Sequence, residues 1–146
     1  MTRARWVVLA VALITALWSG WQLQTMRFGL EITDLAVGTT PATVTRLPGI
    51  TSAPVVVIAH GFAGSRQLME GFALTLARAG YIVVSYDLAG HGRNPVPMSG
   101  DVSVITGTTQ VLMDELARVS DAALALPGAD VGRCVSHQWH NASADG

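Results

Sequence analysis

The sequence predicts an α/β fold preceded by one apolar helix, and three observations predict it. Residues Trp6 to Trp18 (WVVLAVALITALW) hold no charge. Val55-Val56-Val57-Ile58 is an unbroken β-branched run, too apolar for a strand with one wet face. A strand, a helix and a second strand follow one another with short joints between Pro54 and Tyr86, the pattern of a βαβ unit with parallel strands and a right-handed crossover.

The apolar segment is the first element. Continued through Leu23, it is long enough as a helix to cross a hydrocarbon core of about 30 Å. Arg3 and Arg5 precede it, which favours a cytoplasmic N-terminus with the rest of the chain outside. Trp6, Trp18 and Trp21 stand at its ends, where an amphipathic ring gains from the membrane interface. A single-pass anchor, contacting the bilayer through Trp6–Leu23, is the reading this favours. A cleaved signal peptide is the second reading, although tryptophans occupy the place where a small-x-small cleavage site is wanted. A core helix is the third, and the terminal position and all-round apolarity count against it.

Residues 1–23 are therefore assigned to the membrane segment and 24–29 to a linker. Residues 30–133 form the α/β domain, and 134–146 a tail of different character. Leu30–Val37 and Ala42–Leu47 read as two strands joined by a turn at Gly38 and Pro41. Pro54–Ala59 is the clearest strand. A helix is expected from Arg66 to Ala79, capped by Ser65, with Leu68, Phe72 and Leu76 on its buried face and Gly80 as its stop. Tyr81–Tyr86 is a second buried strand, and Asp87–Gly100, with three glycines and two prolines, is loop. A further helix spans Thr109 to Leu126, with Leu112, Leu116, Val119 and Ala123 inward and Pro127-Gly128 ending it. A third buried strand is wanted next, and only Val131, Cys134 and Val135 are candidates for it.

Composition excludes some functions. Net charge is −1 and charged residues make up 13 %, so there is no basic footprint for nucleic acid. A single cysteine, Cys134, rules out an intrachain disulfide. His137 and His140 lack a third partner of metal-ligating type, and neither a metal nor a cofactor is implied. Asn141-Ala142-Ser143 matches a glycosylation sequon by pattern alone.

The chemistry is expected in two loops. His60-Gly61-Phe62-Ala63-Gly64-Ser65 starts at the C-terminal end of a central strand and leads into a helix, the end of an open α/β sheet where ligands bind. Backbone N–H groups at such a place can face developing negative charge, so the loop suits an oxyanion hole; an ordinary βα turn is the plainer alternative. Asp87-Leu88-Ala89-Gly90-His91-Gly92-Arg93-Asn94 follows the next strand directly.

The two motifs at this separation resemble the α/β-hydrolase superfamily, and within it the serine-aminopeptidase and lysophospholipase-like branch, over roughly Pro41 to Arg133. Asn94 stands where that branch usually carries serine. The resemblance implies a partial α/β-hydrolase fold and acyl-serine chemistry on an ester, lipid or peptide bond. It implies that His60 and Gly61 form the HG pair and that Phe62 offers one of two oxyanion N–H groups. Asp87, Gly90, His91 and Gly92 would shape the second loop, and His91 would not be the triad histidine.

Such an enzyme needs a nucleophile in a G-x-S-x-G elbow, followed by an acid and a histidine. No G-x-S-x-G occurs in the 146 residues. Ser136 is the nearest serine to the expected position and lacks both glycines. The expectation is a chain cut off before its nucleophile and inactive by itself, with an open sheet edge and marginal stability. The abrupt loss of pattern after Arg133 suggests an out-of-frame tail, which the coding DNA downstream would support by encoding G-x-S-x-G in another frame. The alternative in a different class is a non-catalytic membrane protein that uses the residual pocket or the sheet edge to bind a partner.

Overall fold

The structure is a computed structural model, described here for residues 3–100 and 105–133. Its first element, α1 (Arg3–Arg27), is apolar on all sides from Trp6 to Trp21 and leaves its large apolar side chains exposed over that stretch. Among the described residues it is the one helix long and apolar enough to cross a membrane. It runs on into the stretch read as a linker, so that only Phe28 and Gly29 separate it from Leu30 and the first strand.

Strands β1 (Glu31–Val37) and β2 (Thr40–Arg46) form an antiparallel hairpin. Strands β3 (Val55–Ala59) and β4 (Ile82–Tyr86) are parallel, with Val55 opposite Ile82 and Ala59 opposite Tyr86. β2 joins the two pairs by running antiparallel to β4, giving the order β1-β2-β4-β3. The expected parallel βαβ unit is present, at one side of a mixed sheet.

Alternate residues of β4 feed opposite faces. Ile82, Val84 and Tyr86 pack with Ala42, Val44, Val119 and Ala123 beneath α3 (Gln110–Leu124). Val83 packs with Ala73 and Ala77 of α2 (Glu70–Arg78) on the other face. Period-two alternation in a strand buried on both sides therefore separates the two helical layers.

The inward face of α3 is the expected one. That of α2 is so only in part: Leu76 packs against Ala73, Ala77 and Val83, but Leu68 is 67 % exposed and Phe72 65 %, whereas Ala73, Leu74 and Ala77 are buried. The small Ala73 and Ala77 let the helix lie close to Val83, and Leu68 and Phe72 turn outward. A single 3-10 turn, Arg66–Met69, precedes α2 where one continuous helix was expected.

The second edge of β3 carries no strand among the described residues. One parallel bridge starts there: the Ala53 N–H donates to the Gly128 carbonyl at 2.8 Å, and the Asp130 N–H to the Ala53 carbonyl at 2.8 Å. The chain then turns into a short 3-10 helix, Val131–Arg133, so Val131 does not begin the expected third strand. Cys134, Val135, Ser136, His137, His140 and Asn141 lie outside the described residues.

Candidate functional site

Both predicted loops leave the C-terminal ends of the two parallel strands, and the structure brings them together. The first turns sharply after β3. Its closing bond runs from the Gly64 N–H to the Gly61 carbonyl at 3.0 Å. The residue with left-handed backbone is Ala63, at φ 59°, and neither glycine of the motif shares that geometry. Alanine at positive φ costs roughly 1 kcal/mol, and such strain collects where a loop must hold a particular shape. Gly64 is required for space: a Cβ there would stand 2.9 Å from the Gly61 oxygen and 3.0 Å from His60 Nδ1. The turn leaves the Phe62 N–H without a protein acceptor among the described residues. Its side chain is 84 % exposed.

His60 ties the first loop to the second. Its Nδ1 lies 2.8 Å from the Gly61 carbonyl, so this nitrogen donates. Its Nε2 accepts the Leu88 N–H at 3.1 Å. The two partners fix the neutral Nδ1–H tautomer and occupy the lone pair a general base would use. His91 also donates through Nδ1, to the Ala89 carbonyl at 3.0 Å. Its ring stands 5.5 Å from that of His60 and 5.3 Å, edge-on, from that of Phe62.

Asp87 is the centre of the second loop and is fully buried. One carboxylate oxygen accepts the Arg66 N–H at 2.7 Å and the other the Arg93 N–H at 3.0 Å. Ser65, expected to cap the helix, makes no such bond. Asp87 satisfies the helix start from 21 residues away, and its charge suits that end of the helix. The buried Arg66 guanidinium lies 3.7 Å from Asp87 and 3.6 Å from Asp34. Gly90 and Gly92 both have positive φ, 74° and 55°. A Cβ on Gly92 would fall 2.3 Å from Asp87 Oδ1.

Three residues of this arrangement escaped the sequence reading as participants. Arg66 is one. Asn94, noted only as a departure from serine, donates its amide to the Asp87 carbonyl and to Glu115 Oε1, both at 2.8 Å. Glu115, on α3 and buried, also accepts the Thr40 hydroxyl at 2.7 Å and the Ala89 N–H at 3.0 Å. A signal for it existed: position 115 falls in the apolar stripe of 112, 116, 119 and 123, and a carboxylate there needs internal donors.

Glu115 also acts on its neighbour Tyr86. Burial, and then the nearby Glu115 charge, push the Tyr86 hydroxyl up to about 12. Its folded-state pKa lies above the unfolded one, so the contribution is complete below about 10 and is lost as pH rises through the folded value. Ultraviolet difference titration should therefore find one of the two tyrosines ionising near pH 12. Ionisation of both by about pH 10, the ordinary value, would contradict the buried environment assigned to Tyr86.

Among the described residues the arrangement leaves one backbone donor unpaired at a strand end, beside a helix start, on a loop held by buried polar bonds. Such a group can donate to an oxyanion. The described residues of the two loops offer no attacking group: His60 is committed to its two partners and Asp87 to backbone amides.

Comparisons with known proteins agree with this geometry. Residues 51–131 match the family described as serine aminopeptidase, S33. A hypothetical protein from Pseudomonas aeruginosa superposes with a TM-score of 0.56 at 15 % identity, over 73 % of this chain and 34 % of its own. A protein described as a dienelactone hydrolase from Klebsiella pneumoniae superposes at 0.53 with 18 % identity, over 72 % and 48 %. These similarities establish the α/β-hydrolase-like fold with a partial sheet. The chain spans about a third of the length of the first structure and about half of the second. No curated protein matches it.

Proposed function

The chain belongs to the serine aminopeptidase S33 family of α/β hydrolases, and from that membership we propose that it carries the oxyanion-binding half of a membrane-tethered serine hydrolase. The observation that supports this most is the Phe62 N–H at the end of β3, which has no acceptor among the described residues and sits on a turn fixed by His60 and Gly64. Phe62 supplies one donor to the tetrahedral intermediate. The second comes from the residue after the nucleophile, in an elbow that residues 1–133 do not contain. The nucleophile strand would continue the pairing begun at Ala53–Ala129, alongside β3. The exposed Phe62 ring lines the acyl side of the site.

In this reading the reaction is transfer of an acyl group from an ester, lipid or peptide to serine and then to water. His60, Gly61 and Phe62 form the oxyanion loop. Asp87, Gly90, His91 and Gly92 hold it in place and do not exchange protons with substrate. Helix α1 tethers the domain to the outer side of a membrane, its arginine-bearing start in the cytoplasm.

A chimaera tests the assignment. Residues 1–130, joined to the nucleophile-bearing remainder of an S33 enzyme, should hydrolyse short esters. Phe62→Pro, which deletes the N–H, should lower kcat about a hundredfold while the circular dichroism spectrum is unchanged. An active, folded chimaera indifferent to Phe62→Pro would remove Phe62 from the site.

A further inference from the structure

The outward side of α2 and of the 3-10 turn before it holds two large apolar side chains that no described residue covers. Leu68 and Phe72 are one turn apart, and Phe28, just past the end of α1, is 85 % exposed. The junction between α1 and α2 is built firmly. Arg78 reaches across to cap the end of α1, donating to the Thr25, Met26 and Phe28 carbonyls at 3.3, 2.9 and 2.9 Å. Arg27 at the end of α1 pairs with Glu70 at the start of α2 at 2.5 Å. Both ends of α2 are thus fastened to the last turn of the apolar helix. A free tether needs neither contact; a helix end that must keep its angle to the domain uses both, since a cationic side chain on terminal carbonyls also complements the helix dipole.

We propose that Phe28, Leu68 and Phe72 rest in the phospholipid headgroup and upper acyl region. The outer side of α2, and with it the adjoining oxyanion loop, would then face the bilayer that α1 enters. The occupant is lipid because these exposed side chains adjoin the emergence of an all-round apolar helix, to which α2 is fastened through the pair of Arg27 with Glu70 and through Arg78. The inference rests on the anchor reading and deepens it: the substrate class becomes acyl lipids reached from the membrane, with the exposed Phe62 at the lipid side of the loop.

Spin labels on the full chain in phosphatidylcholine–phosphatidylglycerol vesicles test it, in a Cys134→Ser background. One label each is placed by Phe72→Cys, Leu68→Cys, Ile14→Cys and Asp121→Cys, the last on α3, which covers the opposite face of the sheet. Labels at 68, 72 and 14 should collide more with oxygen than with a nickel chelate, and the label at 121 the reverse. Aqueous labels at 68 and 72 with a lipid-immersed label at 14 would overturn the docked face and leave the anchor standing. An aqueous label at 14 would overturn the anchor, and the proposal with it.

Discussion

Replacing Gly92 with alanine is expected to unfold most of the domain. At φ 55° an alanine pays roughly 1–2 kcal/mol for its backbone alone. The added Cβ would lie 2.3 Å from Asp87 Oδ1 and 2.4 Å from its Cγ, so the carboxylate must leave its place. Displacing it strands the Arg66 and Arg93 amides that it accepts. Together these effects reach about 4 kcal/mol, at the upper end for a single substitution and most of the stability of a small domain. Gly61→Ala is the control, because nothing lies within 4 Å of its Cβ and its φ is not positive; its cost should stay within about 1 kcal/mol. Urea unfolding of the full chain in detergent, followed by circular dichroism, compares the two. Equal midpoints would mean that the second loop is not packed as described.

Asp87→Ala should be as damaging by a different route. The Asp87 carboxylate is fully buried, two backbone N–H groups point at it, and the Arg66 guanidinium is buried beside it. Removing one member of a buried charged pair typically costs about 3–5 kcal/mol, and Arg66 would keep only the exposed Asp34 as a counter-charge. Asp87→Asn keeps the volume but turns a donor toward a donor, at about 1–3 kcal/mol. Hydrogen exchange resolves the mechanism: the Arg66 and Arg93 amides should lose protection in both variants, and more in the alanine. In the double variant Asp87→Ala/Gly92→Ala the penalties should not add, since the clash partner of the new Cβ is gone. Additive losses would place Gly92 and Asp87 in separate structural roles.

The parts of this architecture legible in the sequence share a local cause. Val55–Ala59 and Ile82–Tyr86 are strands because consecutive β-branched residues suit a sheet covered on both faces, and Leu112, Leu116, Val119 and Ala123 mark one side of α3 by helical spacing alone. What escaped depends on distance in space or on size. Which side of α2 turns inward is decided by how closely Ala73 and Ala77 let it approach Val83, and a hydrophobicity pattern that favours Leu68 and Phe72 gives the opposite answer. The cap of that helix comes from Asp87 in another loop, which displaces the nearer Ser65 because a buried carboxylate can serve two amides at once. At the site, the positions of His60, Gly61, Phe62, Asp87, Gly90, His91 and Gly92 followed from motif and strand end. The polar connections through Arg66, Asn94 and Glu115 needed the fold, since each joins segments more than twenty residues apart.

The central proposal is that these residues bind an oxyanion but carry no attacking oxygen of their own. Incubating the purified 146-residue chain in detergent with short-chain esters and with a fluorophosphonate probe tests that most directly. Neither turnover above buffer nor a labelled band is expected. Hydrolysis that disappears when Ser136 is changed to alanine would contradict it.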